Sequence, residues 1–139
     1  MNRRKRTQFW GKNEDDEELL LDVLAGRKTA TACRADDYYL PMGEFDDGGM
    51  EPGDIVEVYD LRQRLRCLIR VTERYPVRFG DIPEKLWKGE CCTSAGHFQE
   101  EHRKCWPDYG LHDDFELMAT HFELIEPSPA AALHSQSGL

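Results

Sequence analysis

Val23-Leu24-Ala25-Gly26-Arg27-Lys28-Thr29-Ala30-Thr31-Ala32-Cys33-Arg34 is the stretch on which the fold turns. Just before it, residues 13–18 (Asn-Glu-Asp-Asp-Glu-Glu) put carboxylates at a helix start, where the macrodipole favours them. Leu19, Leu20, Val23 and Leu24 then line one face of a short helix. Gly26 ends that helix, with Arg27 and Lys28 close to its last carbonyls. From Lys28 to Cys33 the residues alternate and include two β-branched threonines, which predicts the first strand.

Working outward, residues 41–53 hold Pro41, Gly43, Gly48, Gly49, Pro52 and Gly53 among acids and read as a loop. Pro52-Gly53-Asp54 turns into a strand over 55–59, and residues 65–72 read as its hairpin partner across the short connection 60–63. Pro76 and Gly80 punctuate the next loop. Residues 81–87 read as a short helix with Asp81 as cap and Pro83 in its first turn. Residues 93–106 form a second, capped by Thr93 or Ser94, with Phe98, His102 and Cys105 on one face. Phe115, Leu117, Phe122, Leu124 and Ile125 mark one or two closing strands. Strands outnumber helices, and two helices sit inside long connections. The expectation is an α+β protein, a small mixed β-barrel with peripheral helices.

At 139 residues the chain has the size of one domain, and 40% hydrophobic residues suffice for one core. We expect a flexible basic arm over 1–7, the domain over 8–126 and a low-complexity, disordered tail over 127–139. No run of about 18 apolar residues is present to span a membrane. The basic start leads into Phe9-Trp10-Gly11 and then acids instead of a signal-type apolar stretch, so a cytoplasmic location is expected. Four of the 18 basic residues lie in the arm and all 27 acids lie beyond it, so the rest of the chain carries a formal −13. Bulk charge of that sign does not hold a long phosphate backbone, so a nucleic-acid ligand must be short or gripped locally. The five cysteines, an odd number, read as free thiols.

The stretch 23–34 resembles the hallmark of the ASCH family, a helix ending in Gly followed by a GxKxxTxR-like strand. Pro52-Gly53-Asp54-Ile55-Val56, Cys67-Leu68-Ile69-Arg70-Val71-Thr72, Gly89-Glu90 and Phe122-Glu123-Leu124 follow in the family's order, and Phe9-Trp10-Gly11 is similar to the opening of larger bacterial members. The likeness spans about residues 8–126. The motif's Arg falls where this chain has Cys33; Arg34 follows one residue later, on the opposite face of a regular strand unless a bulge intervenes. The resemblance implies a PUA-like barrel that binds RNA or a nucleoside-like small molecule, with no cofactor. Members include amidohydrolases acting on N-acetylcytidine through a Lys, a Thr and a Glu, which match Lys28, Thr31 and Glu90 here, and others described as ribonucleases.

A threonine hydroxyl is a poor nucleophile until a base takes its proton, and a desolvated lysine can be that base. Lys28 and Thr31, three apart, fall on opposite faces of a strict pleat; they meet only if the strand starts at about Thr29 and Lys28 swings inward from the corner. A ribonuclease would use Lys28 as the cation with Tyr38, Tyr39, His97 or His102 as proton carrier, among which the spacing does not choose. A metal site from Cys91, Cys92, His97, His102 and Cys105 lacks CxxC spacing, and its histidines fall on different helix faces, so no metal is expected. Trp10, Tyr38, Tyr39 and Arg34 are the candidate ligand contacts, the aromatics by stacking on a base. Trp87 and Trp106 read as helix anchors, and residues 42–51 as a solvated loop with a lid over the site as the alternative. Two functions remain: a binding module for RNA or a modified nucleoside, and a small hydrolase.

Overall fold

A computed structural model describes residues 4–127. The elements run β1 (Lys5–Gln8), α1 (Glu18–Leu24), β2 (Ala30–Arg34), a 3-10 turn (Ala35–Asp37), β3 (Ile55–Tyr59), β4 (Leu65–Arg78), α2 (Glu84–Gly89), α3 (Ala95–Cys105) and β5 (Glu116–Pro127). The strands make one sheet in the order β1-β3-β4-β5-β2, antiparallel except for the parallel β1–β3 pair. This is the expected α+β architecture, realised as a curled mixed sheet closing half a barrel.

Residues 5–7 are a correction to the flexible arm: they pair with Val56, Glu57 and Val58. The arm's cations find acids there. Lys5 Nζ lies 2.6 Å from Asp54 Oδ2, and the Arg6 guanidinium reaches Asp47. Residues 1–3 and the expected tail beyond 127 lie outside the described residues.

Strand β4 is a second correction, since it runs through Pro76 instead of ending near residue 72. Its β3 partner stops at Arg70, so residues 73–78 pair with β5 on one side only. A proline facing the free side loses no ladder bond. Register shifts at Leu68/Ile69 and Val71/Glu73 bend the strand, and Cys67, Leu68 and Ile69 are consecutively buried across the first of them. The closing segment is a single long strand, β5.

Two hydrophobic clusters fill the concavity. One joins Leu20 and Val23 of α1 to Val56, Val58, Ile69, Val71 and Phe122. The other joins Leu86 of α2 and Phe98 of α3 to Phe79, Leu117 and Ala119. Asp81 does not cap α2, which starts after Pro83; residues 80 and 81 are held instead by Asp113 and Arg78 carbonyls. Ser94 caps α3 as expected, accepting from the His97 amide at 3.0 Å. Among the described residues no helix is long and apolar enough to cross a membrane.

Candidate functional site

The corner between α1 and β2 builds the site. Gly26 takes a left-handed φ of 76°, which glycine adopts without a Cβ clash, and ends α1. The Arg27 and Lys28 amides then both donate to the Asp22 carbonyl, at 2.9 and 3.0 Å. Thr29 donates to the Gly89 carbonyl at 2.8 Å and accepts from the Phe122 amide at 2.9 Å. A Cβ on Gly89 would lie 2.7 Å from the Ala30 Cβ, so only glycine lets the end of α2 come this close to β2. That approach brings residue 90 against residue 28.

Lys28 does swing inward, and its side chain is only 3% exposed. Its Nζ donates to the Ala30 carbonyl at 2.7 Å and to Glu90 Oε1 at 3.3 Å, and lies 5.4 Å from the centre of the Phe9 ring. The other carboxylate oxygen, Oε2, is buried without a hydrogen-bond partner among the described residues. It faces His102 Nε2 at 3.6 Å. His102 is oriented by donating its Nδ1–H to the Phe98 carbonyl at 2.7 Å, and its ring touches Trp106 edge-on. Lys28, Glu90 and His102 thus form a buried polar row.

Thr31 lies elsewhere. It sits on β2 opposite Thr120 of β5, and both line a cleft of about 190 Å³. Lys28 and Glu90 are not among the lining residues, so a cleft shared by Lys28 and Thr31, which their meeting would require, is corrected to one lined by Thr31, Ala32, Met118 and Thr120. The structure brings Lys28 and Glu90 together; no hydrogen bond joins either to Thr31, whose side chain is without a hydrogen-bond partner among the described residues.

Of the ligand contacts read from the sequence, Trp10, Arg34 and Tyr38 line this cleft and Tyr39 does not. Trp10 is 57% exposed at the mouth. Tyr38 is buried, with its hydroxyl donating to the Met50 carbonyl; burial pushes it up to about 12, so it stays a phenol. β2 pairs with β5 without a bulge, yet Arg34 still reaches the cleft because the strand ends there. Its Nε donates to Asp37 at 2.7 Å and its guanidinium stacks 4.3 Å over Tyr109. Cys33 lies beside it on the wall, its thiol pushed up to about 11 by burial and by Asp37 and Asp46.

Sequence reasoning missed several contributors. Trp106, expected as a helix anchor, also forms cleft wall, as does Tyr109. The loop taken as solvated covers the cleft with Leu40, Met42, Asp46 and residues 48–50. It is tied to β1: the Arg6 amide donates to Asp47 Oδ2 at 2.8 Å, and Lys5 Nζ to the Gly49 carbonyl at 2.6 Å. Thr120 had no signal beyond lying in the closing-strand segment; His102 had one only in its face shared with Phe98. Among the described residues no three His, Cys, Asp or Glu side chains converge to hold a metal.

No family model and no curated protein matches the chain. Two crystal structures are similar to it. One is a DUF984 protein from Enterococcus faecalis V583, 20% identical, with 93% of this chain and 85% of that one covered and a TM-score of 0.66. The other is an ASCH domain from Lactobacillus crispatus JV V101, 19% identical, covering 85% of this chain and 77% of that one with a TM-score of 0.65. Together they establish the fold as that of an ASCH domain.

Proposed function

We propose that this chain, with its ASCH fold, is a binding module that takes a single nucleoside-sized ring, free or as an unpaired nucleotide of RNA, into the cleft over β2 and β5. The observation that carries this reading is the make-up of the walls. Trp10, Tyr38, Trp106 and Tyr109 offer aromatic surface, while Thr31 and Thr120 place hydroxyls on the floor. Stacking holds a base, and a few fixed polar groups orient it. At about 190 Å³ the cleft is below the roughly 300–1,000 Å³ of drug-sized sites, so it suits one ring better than a strand.

Hydrolysis through Lys28, Thr31 and Glu90 has weaker support. The Lys28 ammonium is bonded to Ala30 and Glu90 behind the Phe9 ring and is not itself part of the cleft lining, so the Thr31 hydroxyl has no base within hydrogen-bond reach. Catalysis would need the Lys28 side chain to leave its partners.

Trp10 and Trp106 line the cleft, so tryptophan fluorescence reports its occupancy. At about 0.3 kcal/mol per non-hydrogen atom, the roughly 17 atoms of a nucleoside give a Kd on the order of 0.1–1 mM. A saturable change in that range, weakened by Thr31→Val and by Trp10→Ala, is expected for nucleosides or a short single-stranded RNA. No saturation with any of them would overturn the proposal. Turnover of N-acetylcytidine, lost in Thr31→Val, would replace binding by hydrolysis.

A further inference from the structure

We infer that the cleft selects an unphosphorylated heterocycle presenting an amino group, and that Asp46 is the residue that selects it. The inference rests on the nucleoside reading above and narrows it. Three charged side chains line the cleft: Arg34, Asp37 and Asp46. The single cation among them has Asp37 as its counter-ion, with Nε bonded to that carboxylate at 2.7 Å and the guanidinium 4.3 Å from the Tyr109 ring centre. That leaves the Asp46 charge uncompensated.

Asp46 is held for such a role. Its Oδ1 accepts the Gly48 amide at 2.9 Å, which fixes the carboxylate within the loop. Among the described residues no cation pairs with Asp46, and its Oδ2 accepts no hydrogen bond. Burial pushes its carboxyl up, with neighbouring Asp47 adding to the shift, as expected for a charge lacking its own counterion. An exocyclic amino group can donate to Oδ2 and make a charge-assisted hydrogen bond. A carbonyl at the same place sets acceptor against acceptor and leaves both unpaired. The aromatic walls reinforce the preference, because ring faces attract positive and repel negative charge. A phosphate would enter a lining of two carboxylates and one cation, against Asp46 and in competition with Asp37 for Arg34.

The test is a fluorescence titration of the whole chain with cytidine against uridine, adenosine against inosine, and the nucleosides against their 5′-monophosphates. In at least one amino/oxo pair the amino member is expected to bind about tenfold tighter, and its monophosphate about tenfold weaker than the nucleoside. Asp46→Asn keeps the Oδ1 acceptor for Gly48 and is expected to reduce both ratios to within about threefold. Equal or tighter binding of monophosphates by the unaltered chain, or an amino/oxo ratio near one, overturns the inference while leaving the nucleoside reading intact. So do ratios that survive Asp46→Asn. Failure of every nucleoside to bind overturns both.

Discussion

The Lys28–Glu90 pair gives the sharpest quantitative prediction. Lys28 is 3% and Glu90 11% exposed, so both charges have left water. The ammonium keeps two acceptors, the Ala30 carbonyl at 2.7 Å and Glu90 Oε1 at 3.3 Å. Glu90→Ala removes the one carboxylate paired with it among the described residues and leaves a buried cation on one neutral acceptor. Breaking such a pair costs about 3–5 kcal/mol. For a chain of this length that corresponds to a Tm lower by roughly 10–20 °C. Replacing both partners with apolar residues of similar size, Lys28→Met with Glu90→Leu, removes the charges together and is expected to be neutral or stabilising by about 1–4 kcal/mol. Urea unfolding of the unaltered chain and the two variants, followed by tryptophan fluorescence and fitted with a common m, measures these differences. Neither residue lines the cleft, so the double variant should retain nucleoside binding. A loss below about 1 kcal/mol in Glu90→Ala would refute the reasoning, because it would mean that water reaches the ammonium. A double variant less stable than Glu90→Ala would refute it equally.

Four further outcomes can be measured. Burial pushes the Asp60 carboxyl up, but the Arg64 amide and guanidinium, the Arg66 guanidinium and the Arg62 amide more than offset this, leaving it below its ordinary 3.8. Its folded form therefore holds its proton less tightly than the unfolded chain, so its stabilisation is present above about pH 4 and is lost as pH falls through the lower folded value. Asp60→Asn should flatten that acid limb in urea titrations below pH 4. His121 has the opposite charge change: burial lowers its pKa from 6.5, only partly offset by Glu73, so acidification below that value protonates the unfolded chain first and destabilises the fold. His121→Gln should remove that slope between neutral pH and pH 5. The β1 tether should act on binding more than on stability. Asp47→Ala deletes the acceptor for the Arg6 amide and guanidinium, loosens the loop over the cleft, which the Lys5–Gly49 bond still holds, and should raise the nucleoside Kd by about threefold to tenfold. Finally, Gly89→Ala should cost about 1–3 kcal/mol in urea unfolding, because its Cβ would press on Ala30 at 2.7 Å.

The sequence was most informative where chemistry is local. The helix stop at Gly26, the turn at residues 52–54, the 55–59 strand and the Ser94 cap each depend on residues a few positions apart. Pro76 misled for the same reason. Proline ends a strand when both edges are paired, and only the end of the β3–β4 pairing at Ile55 and Arg70 shows that one edge is free. Likewise Lys5 and Arg6 look like a solvent-seeking arm until the fold supplies Asp54 and Asp47 from more than 40 positions away.

By itself the chain determined its class, the order of its elements from α1 onward and, through a family likeness, the pairing of Lys28 with Glu90; β1 and the far half of β4 it did not announce. What it left open was which polar residues share a space. Thr31 faces Thr120, Arg34 lies on Tyr109, and His102 reaches Glu90 only because the curled sheet and the Gly89 contact fold distant segments over one another. Side-chain neighbours across strands and helices are set by register and by close backbone approach, and neither is encoded within a few residues. The fold therefore separated the buried Lys28 row from the cleft that holds Thr31, a division no spacing in the sequence announces.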